Sequence, residues 1–137
     1  EYHHYTEENV AELIEELKEA DLVVGFNVVG FDYEVLRAYT DYPLHKLPTV
    51  DIMNDVYRVL GFRLGLDALA SATLGTTKSA DGMQAIHWWR QGKMEELFEY
   101  CQQDVEITRQ LYEFGRQNKY VQYRDRQWRI RRVPVSW

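Results

Sequence analysis

Two groups of residues combine side-chain type and spacing in a way that could do chemistry. The first is Asn27-x-x-x-Phe31-Asp32, directly after the apolar run Leu22-Val23-Val24-Gly25-Phe26; the second is Tyr100-x-x-x-Asp104, inside a long helical pattern. A carboxylate just past a buried strand stands at the C-terminal edge of a sheet, where open α/β folds place ligands. Its oxygens suit a hard divalent ion such as Mg²⁺ or Mn²⁺. Tyr100 and Asp104, at i and i+4, share one face of a helix. An aspartate facing a metal and a phenol bonded to the attacking water make a workable hydrolytic pair. Each group alone has a plainer explanation: Asp32 as a helix N-cap beside a turn asparagine, Tyr100 as a packed aromatic beside a solvated acid.

The elements that must position these residues are written unevenly along the chain. Tyr2 to Tyr5 alternate weakly, as the end of a strand would. Thr6 offers an N-cap oxygen and Glu7 and Glu8 suit the first turn, so Val10, Leu13, Ile14 and Leu17 predict an amphipathic helix over 7–20. Residues 22–26 form a continuous β-branched run, the signature of a strand covered on both faces. A short helix is expected from Phe31 to about Tyr39, and a short strand at Thr49–Ile52. Further helices end at Gly61 and Gly75, and another covers 80–91. The strongest helix spans about 93–117, with Met94, Leu97, Phe98, Cys101, Val105, Thr108, Leu111 and Tyr112 expected on one buried stripe. Tyr120–Trp137 alternates around a polar turn near Asp125–Gln127 and predicts a β-hairpin, with Pro134 at an edge. Strands interleaved with helices indicate an α/β fold.

Composition narrows the class. The 45% apolar content supplies a core for one domain, and no apolar run approaches the roughly 20 residues that span a bilayer. A single cysteine, Cys101, excludes an intrachain disulfide and fits a reducing, cytoplasmic setting. His45 and His87 have no partners at zinc spacing. Trp88 and Trp89 point different ways on a helix, so one is expected in the core and the other partly exposed. Net charge is −6, yet residues 119–137 hold six basic residues and one acid, leaving −11 on the other 118 residues. That basic end predicts either a grip on a nucleic-acid backbone through Arg129 and Arg131, or a charged hairpin protected from aggregation.

Taken jointly and in this order, the two groups resemble the DEDDy exonucleases, 3′–5′ enzymes on the ribonuclease H-like three-layer fold. The likeness extends to the proofreading domains of family B DNA polymerases and to bacterial stand-alone or helicase-linked relatives. Asn27-x-x-x-Phe31-Asp32 looks like that group's second motif, and Tyr100-Cys101-Gln102-Gln103-Asp104-Val105 like its third. Leu66 to Leu69, Leu74-Gly75 and Lys78 resemble the segment that precedes the third motif, so the likeness covers about 20–115. It implies Asp32 and Asp104 as ligands of Mg²⁺ or Mn²⁺ in a two-metal site, and Tyr100 as the residue that positions water. Asn27, Phe31 and Lys78 become candidates for substrate contact. It also implies a single-stranded nucleic acid as substrate, DNA before RNA, and a helicase module as a possible companion.

The resemblance is incomplete at its first motif, Asp-x-Glu on the first strand. The spacing occurs at Asp32-Tyr33-Glu34 and Asp104-Val105-Glu106, both inside the groups already assigned. The first strands are therefore expected upstream of Glu1, with 1–118 as the N-terminally truncated exonuclease domain and 119–137 as a basic hairpin extension. Two aspartates alone would hold Mg²⁺ weakly, so this polypeptide is expected to show little or no nuclease activity. The alternative is a non-catalytic nucleic-acid-binding or docking domain of a larger protein such as a helicase.

Overall fold

In the computed structural model, which describes residues 2–76 and 82–137, the chain divides into the units Glu1–Arg63 and Leu64–Trp137. The first unit begins with side chains rather than a strand. The Tyr5 hydroxyl donates to Glu16, Asn9 Nδ2 donates to the His4 carbonyl, and residues 2–5 pair with no strand. Thr6 caps as expected, but what it caps is a 3₁₀ turn, Glu7–Asn9. Asn9 Oδ1 accepts the Thr6 N–H at 2.6 Å and its own backbone leaves helical angles (φ −126°). The expected 7–20 helix therefore divides, and α1 is Val10–Glu19, an asparagine side chain having competed with the helical ladder.

Strand β1 (Val23–Gly25) pairs in parallel with β2 (Thr49–Asp51), in register from Val23↔Thr49 to Gly25↔Asp51. A parallel pair needs a crossover. Here it contains a single π-type turn, Val28–Asp32, then α2 (Tyr33–Leu36) and a 3₁₀ turn at Leu44–Lys46. Tyr33, Leu44 and Leu47 are its buried centre, packed against Leu17, Val23, Val28 and Leu36. The Tyr33 and Thr49 hydroxyls, 2.7 Å apart, tie that centre to β2. Helix α3 (Ile52–Leu60) follows and ends at Gly61 in left-handed conformation. The apolar run 22–26 is not covered on both faces: Val23 and Val24 are half-buried, Leu22 is exposed, and three residues suffice for the strand.

The second unit holds α4 (Leu66–Leu74), α5 (Gly82–Gln91), α6 (Met94–Asn118), and the antiparallel hairpin β3 (Tyr120–Arg124) with β4 (Ile130–Pro134). The sequence patterns place all five closely, including the stop of α4 at Gly75. Val121 and Val133 sit opposite each other and are fully buried, as are Leu69 and Leu111. The Thr73 hydroxyl of α4 donates to the Gln122 carbonyl at 3.0 Å and accepts the Gln122 N–H at 2.8 Å, joining helix to hairpin. On α6 the buried row runs through Thr108, Leu111 and Gly115, with Leu97 and Asp104 half-buried along it. Cys101 and Val105 are exposed, which corrects the predicted stripe. The buried residues of this 25-residue helix, Thr108, Leu111 and Gly115, all lie in its C-terminal half, and Cys101 and Val105 precede them. Among the described residues no helix is long and apolar enough to cross a membrane.

The C-terminal residue closes this unit over a glycine. Trp137 stacks on Tyr112 (6.2 Å, 14°), donates from Nε1 to the Tyr112 carbonyl at 2.8 Å, and lies where a Cβ on Gly115 would stand, 2.6 Å from Cζ2. Alanine inside a helix is ordinarily favoured over glycine by about 0.5–1 kcal/mol. Here the clash should win, at about 1–3 kcal/mol. Gly115→Ala is expected to lower the urea midpoint in the native protein and to raise it in a Trp137→Ala background. The same sign in both backgrounds would contradict the contact.

Candidate functional site

The first chemical group is built around a buried carboxylate, Asp51, the last residue of β2 and 5% exposed. Asp51 Oδ1 accepts the Asn27 N–H at 2.8 Å and Oδ2 accepts the Val29 N–H at 3.0 Å. Oδ1 also caps α3 by accepting the Asn54 N–H at 3.4 Å. Its place at the end of the short Thr49–Ile52 strand does not display these partners in the sequence. Two local features let the chain reach this carboxylate. Asn27 takes a left-handed conformation (φ 60°), which asparagine tolerates better than most residues. Gly25 leaves room for Val28, whose Cγ1 a Cβ at position 25 would overlap.

The clamped turn delivers Phe31 and Asp32. Phe31 is 60% exposed, so its ring is presented to solvent. Asp32 also reaches solvent, yet its carboxyl is pushed up to about 6, first by burial among surrounding protein atoms and then by repulsion from Asp51. Both causes disfavour charge, so the direction stands although one edge of the group is wet. Beside the turn a groove of about 530 Å³, bordered by Val29, Tyr33, Arg37, Tyr42 and His45, is of a size to take a nucleotide. Asn27 turns its side chain toward Gly30, within 3.0 Å of where a Cβ would lie.

The second group belongs to the other unit. Tyr100 and Asp104 stand one turn apart on α6, both half-buried, and the Asp104 carbonyl accepts the Thr108 hydroxyl at 2.7 Å. Trp88 of α5 packs edge-on against Tyr100 at 6.3 Å and is half-buried rather than in the core, while Trp89 is 62% exposed. Lys78 lies outside the described residues. Arg129 and Arg131 are exposed but engaged: Arg131 Nε meets Asp125 Oδ2 at 2.8 Å and Arg129 Nε meets it at 3.7 Å. The Arg129 backbone N–H, followed by the Arg131 side chain, holds the Asp125 carboxyl below the usual range. Asp125 was read only as a turn residue, and its bonds to two arginines depend on a bend that sequence does not display.

Whether a divalent ion fits depends on donor type and number. Asp32 supplies the hard oxygen such ions prefer, and a cation beside it would offset the repulsion from Asp51. The number falls short. Asp51 spends both oxygens on backbone amides, Asp55 is engaged by Arg58 at 2.9 Å, and among the described residues no three His, Cys, Asp or Glu side chains form a group able to hold an ion.

Two outcomes follow from the geometry of the turn. In metal-free buffer the folded state holds the Asp32 proton more tightly than the unfolded state between about pH 4 and pH 6, so stability falls as pH rises through that window. Asp32→Asn removes the ionisation. It should raise the melting temperature at pH 7.5 by an amount worth about 1 kcal/mol, discounted for solvent screening, and change it little at pH 4. Equal gains at both pH values would count against the shift. Asp51→Asn turns an NH₂ toward a backbone donor and should cost about 2–3 kcal/mol in denaturant titration; a loss under 0.5 kcal/mol would show the clamp to be dispensable.

The sequence model described as the RNase H superfamily matches residues 2–114. No curated protein and no solved structure matches the chain. The matched stretch holds the parallel pair, the clamped Asn27–Asp32 turn and α6 through Asp104, and stops short of the hairpin. With most of its length matched and a mixed α/β fold carrying both chemical groups, the chain belongs to the RNase H superfamily.

Proposed function

We propose that this chain carries part of a 3′–5′ exonuclease site acting on single-stranded nucleic acid, DNA before RNA. Members of the RNase H superfamily are usually nucleases and generally use divalent metal ions. The observation that carries the finer assignment is the Asp51-clamped turn, which holds Asp32 just past the C-terminal end of a parallel strand with its carboxyl raised to about 6. A carboxyl in that state is poorly compensated, as a ligand awaiting a cation would be. On the resemblance to the DEDDy exonucleases, Asp32 and Asp104 are each assigned the role of an oxygen ligand. A divalent ion, when bound, contributes charge neutralisation at the phosphate. The Tyr100 hydroxyl orients the attacking water. The exposed Phe31 ring offers the terminal base a stacking surface next to Asp32, and Lys78 and Asn27 are assigned to the substrate backbone. A helicase module remains the proposed companion on resemblance alone.

The test compares two polypeptides on a 5′-labelled single-stranded oligonucleotide with Mn²⁺. One is the 137-residue chain; the other is the product of the full reading frame that encodes it. The short form should show little or no activity and the long form should shorten the strand from its 3′ end. In the long form Asp32→Ala and Asp104→Ala should each lower the rate by about 100-fold or more, beyond the 10–100-fold of outer-shell partners. Tyr100→Phe should cost about 100-fold. An intact substrate, or an Asp104→Ala protein that cleaves at the native rate, would overturn the assignment.

A non-catalytic nucleic-acid-binding or docking domain is the alternative. One observation favours it: no Asp-x-Glu pair exists in the 137 residues apart from the two groups already used. Metal-independent binding by a long form that never cleaves would select it.

A further inference from the structure

We infer that the outward face of the C-terminal hairpin is a stacking platform for unpaired bases, made by Trp128 with Arg124 and by Tyr120 with Arg132. The inference rests on the proposal that the chain handles nucleic acid, and concerns residues that the superfamily match does not reach. Residues directly opposite in an antiparallel pair share a face. Val121 and Val133 therefore define the buried face, while Gln122 with Arg132 and Arg124 with Ile130 define the other. On that outer face Arg132 Cζ lies 4.2 Å from the centre of the Tyr120 ring, and Arg124 Cζ lies 5.6 Å from that of Trp128. Tyr120 is itself braced edge-on by Phe114 of α6 at 5.5 Å.

Trp128 is the least expected part of the arrangement. Its N–H donates to the Asp125 carbonyl at 2.9 Å, and its backbone is left-handed with φ 66°. Turns of this kind favour glycine or asparagine at that place, and a bulky side chain there is strained. Packing does not compensate, because the ring is 78% exposed. A strained, outward-facing indole with a guanidinium over it is what base stacking requires: a π-face in reach of solvent and a cation nearby for the phosphate.

The charges divide in the same way. Residues 119–137 carry a surplus of five positive charges in an otherwise acidic chain. Arg129 and Arg131 are engaged with the one acid, Asp125, whose Oδ1 also accepts the Gln127 and Arg129 N–H groups at 2.9 Å. Those two arginines shape the turn. Arg124, Arg126 and Arg132 are left to meet phosphates, which moves the backbone contact away from the pair that the sequence pointed to. Bases already stacked inside a duplex cannot use an exposed indole, so the fitting partner is a single strand.

Binding of the full 137-residue chain to labelled oligo-dT and oligo-U, followed by fluorescence anisotropy in EDTA, tests the platform without requiring catalysis. The native chain should bind both single strands, and bind a duplex of the same length at least about fivefold more weakly. Trp128→Gly should weaken single-strand binding about tenfold while holding or raising the melting temperature, because glycine accepts φ 66° without strain. Trp128→Asn should behave alike and guards against any folding defect specific to glycine. Arg124→Gln and Arg132→Gln should each reduce the slope of log affinity against log salt by about 0.7. Oligonucleotide should quench native tryptophan fluorescence, and Trp128→Gly should remove most of that quenching. Unchanged affinity in the Trp128 variants, equal affinity for duplex, binding to anionic vesicles instead of oligonucleotide, or no oligonucleotide binding at low salt would each overturn the platform. The exonuclease assignment is read separately, from cleavage with Mn²⁺ and the Asp104→Ala protein, so either can fail alone.

Discussion

A buried carboxylate that must be satisfied sets the shape of the first unit. Asp51 lies at the end of β2 with almost no access to water, and a polar group in that position needs hydrogen-bond donors from the protein. The donors are backbone amides of Asn27, Val29 and Asn54, so one side chain joins the exit of β1, the π-type turn and the start of α3. Three accommodations follow: the left-handed backbone at Asn27, the absence of a Cβ at Gly25, and the tight turn that leaves Phe31 and Asp32 facing outward. The negative charge that organises the turn also acts on its product. Asp51 is one reason the Asp32 carboxyl gives up its proton reluctantly, and thus why a cation would be welcome beside it.

The second unit solves a similar problem at its surface. Asp125 gathers the Gln127 and Arg129 amides and the side chains of Arg129 and Arg131, and the turn it shapes holds Trp128 out in solvent. In both units an aspartate that accepts from backbone amides determines where a neighbouring side chain is presented. The aspartate is a positioning group in each case, and the residue delivered to the outside is the one with chemistry to offer.

Most of the secondary structure was legible because its signals are local. Gly61 and Gly75 mark helix ends, the 94–118 helix has the periodicity and length to be unmistakable, and alternation around Asp125 writes the hairpin. What failed were inferences about surroundings. Cys101 and Val105 share a helical stripe with buried residues, but α6 has buried residues only in its C-terminal half, from Thr108 onward, which periodicity does not display. Among the candidate site residues, Asp32, Tyr100 and Asp104 are singled out by type, spacing and resemblance, and their roles stand as proposals. Asp51 could not be given its partners, since they lie 22 and 24 positions away and become neighbours only once β1 and β2 pair. Trp128 was equally hidden, because nothing in a sequence announces that a tryptophan will occupy a left-handed turn position.

The parallel register of β1 and β2 has a kinetic meaning. Val23 meets Thr49 only when the chain between them closes on itself, whereas Arg124 and Ile130 meet across a short hairpin turn. Loop-closure entropy makes the first event the slower one, and it must precede every bond that Asp51 forms with Asn27 and Val29. The outward-facing hairpin can be ready early, on the microsecond scale typical of such elements. The turn bearing Asp32 has to wait for a non-local closure, so the proposed platform would form before the proposed site.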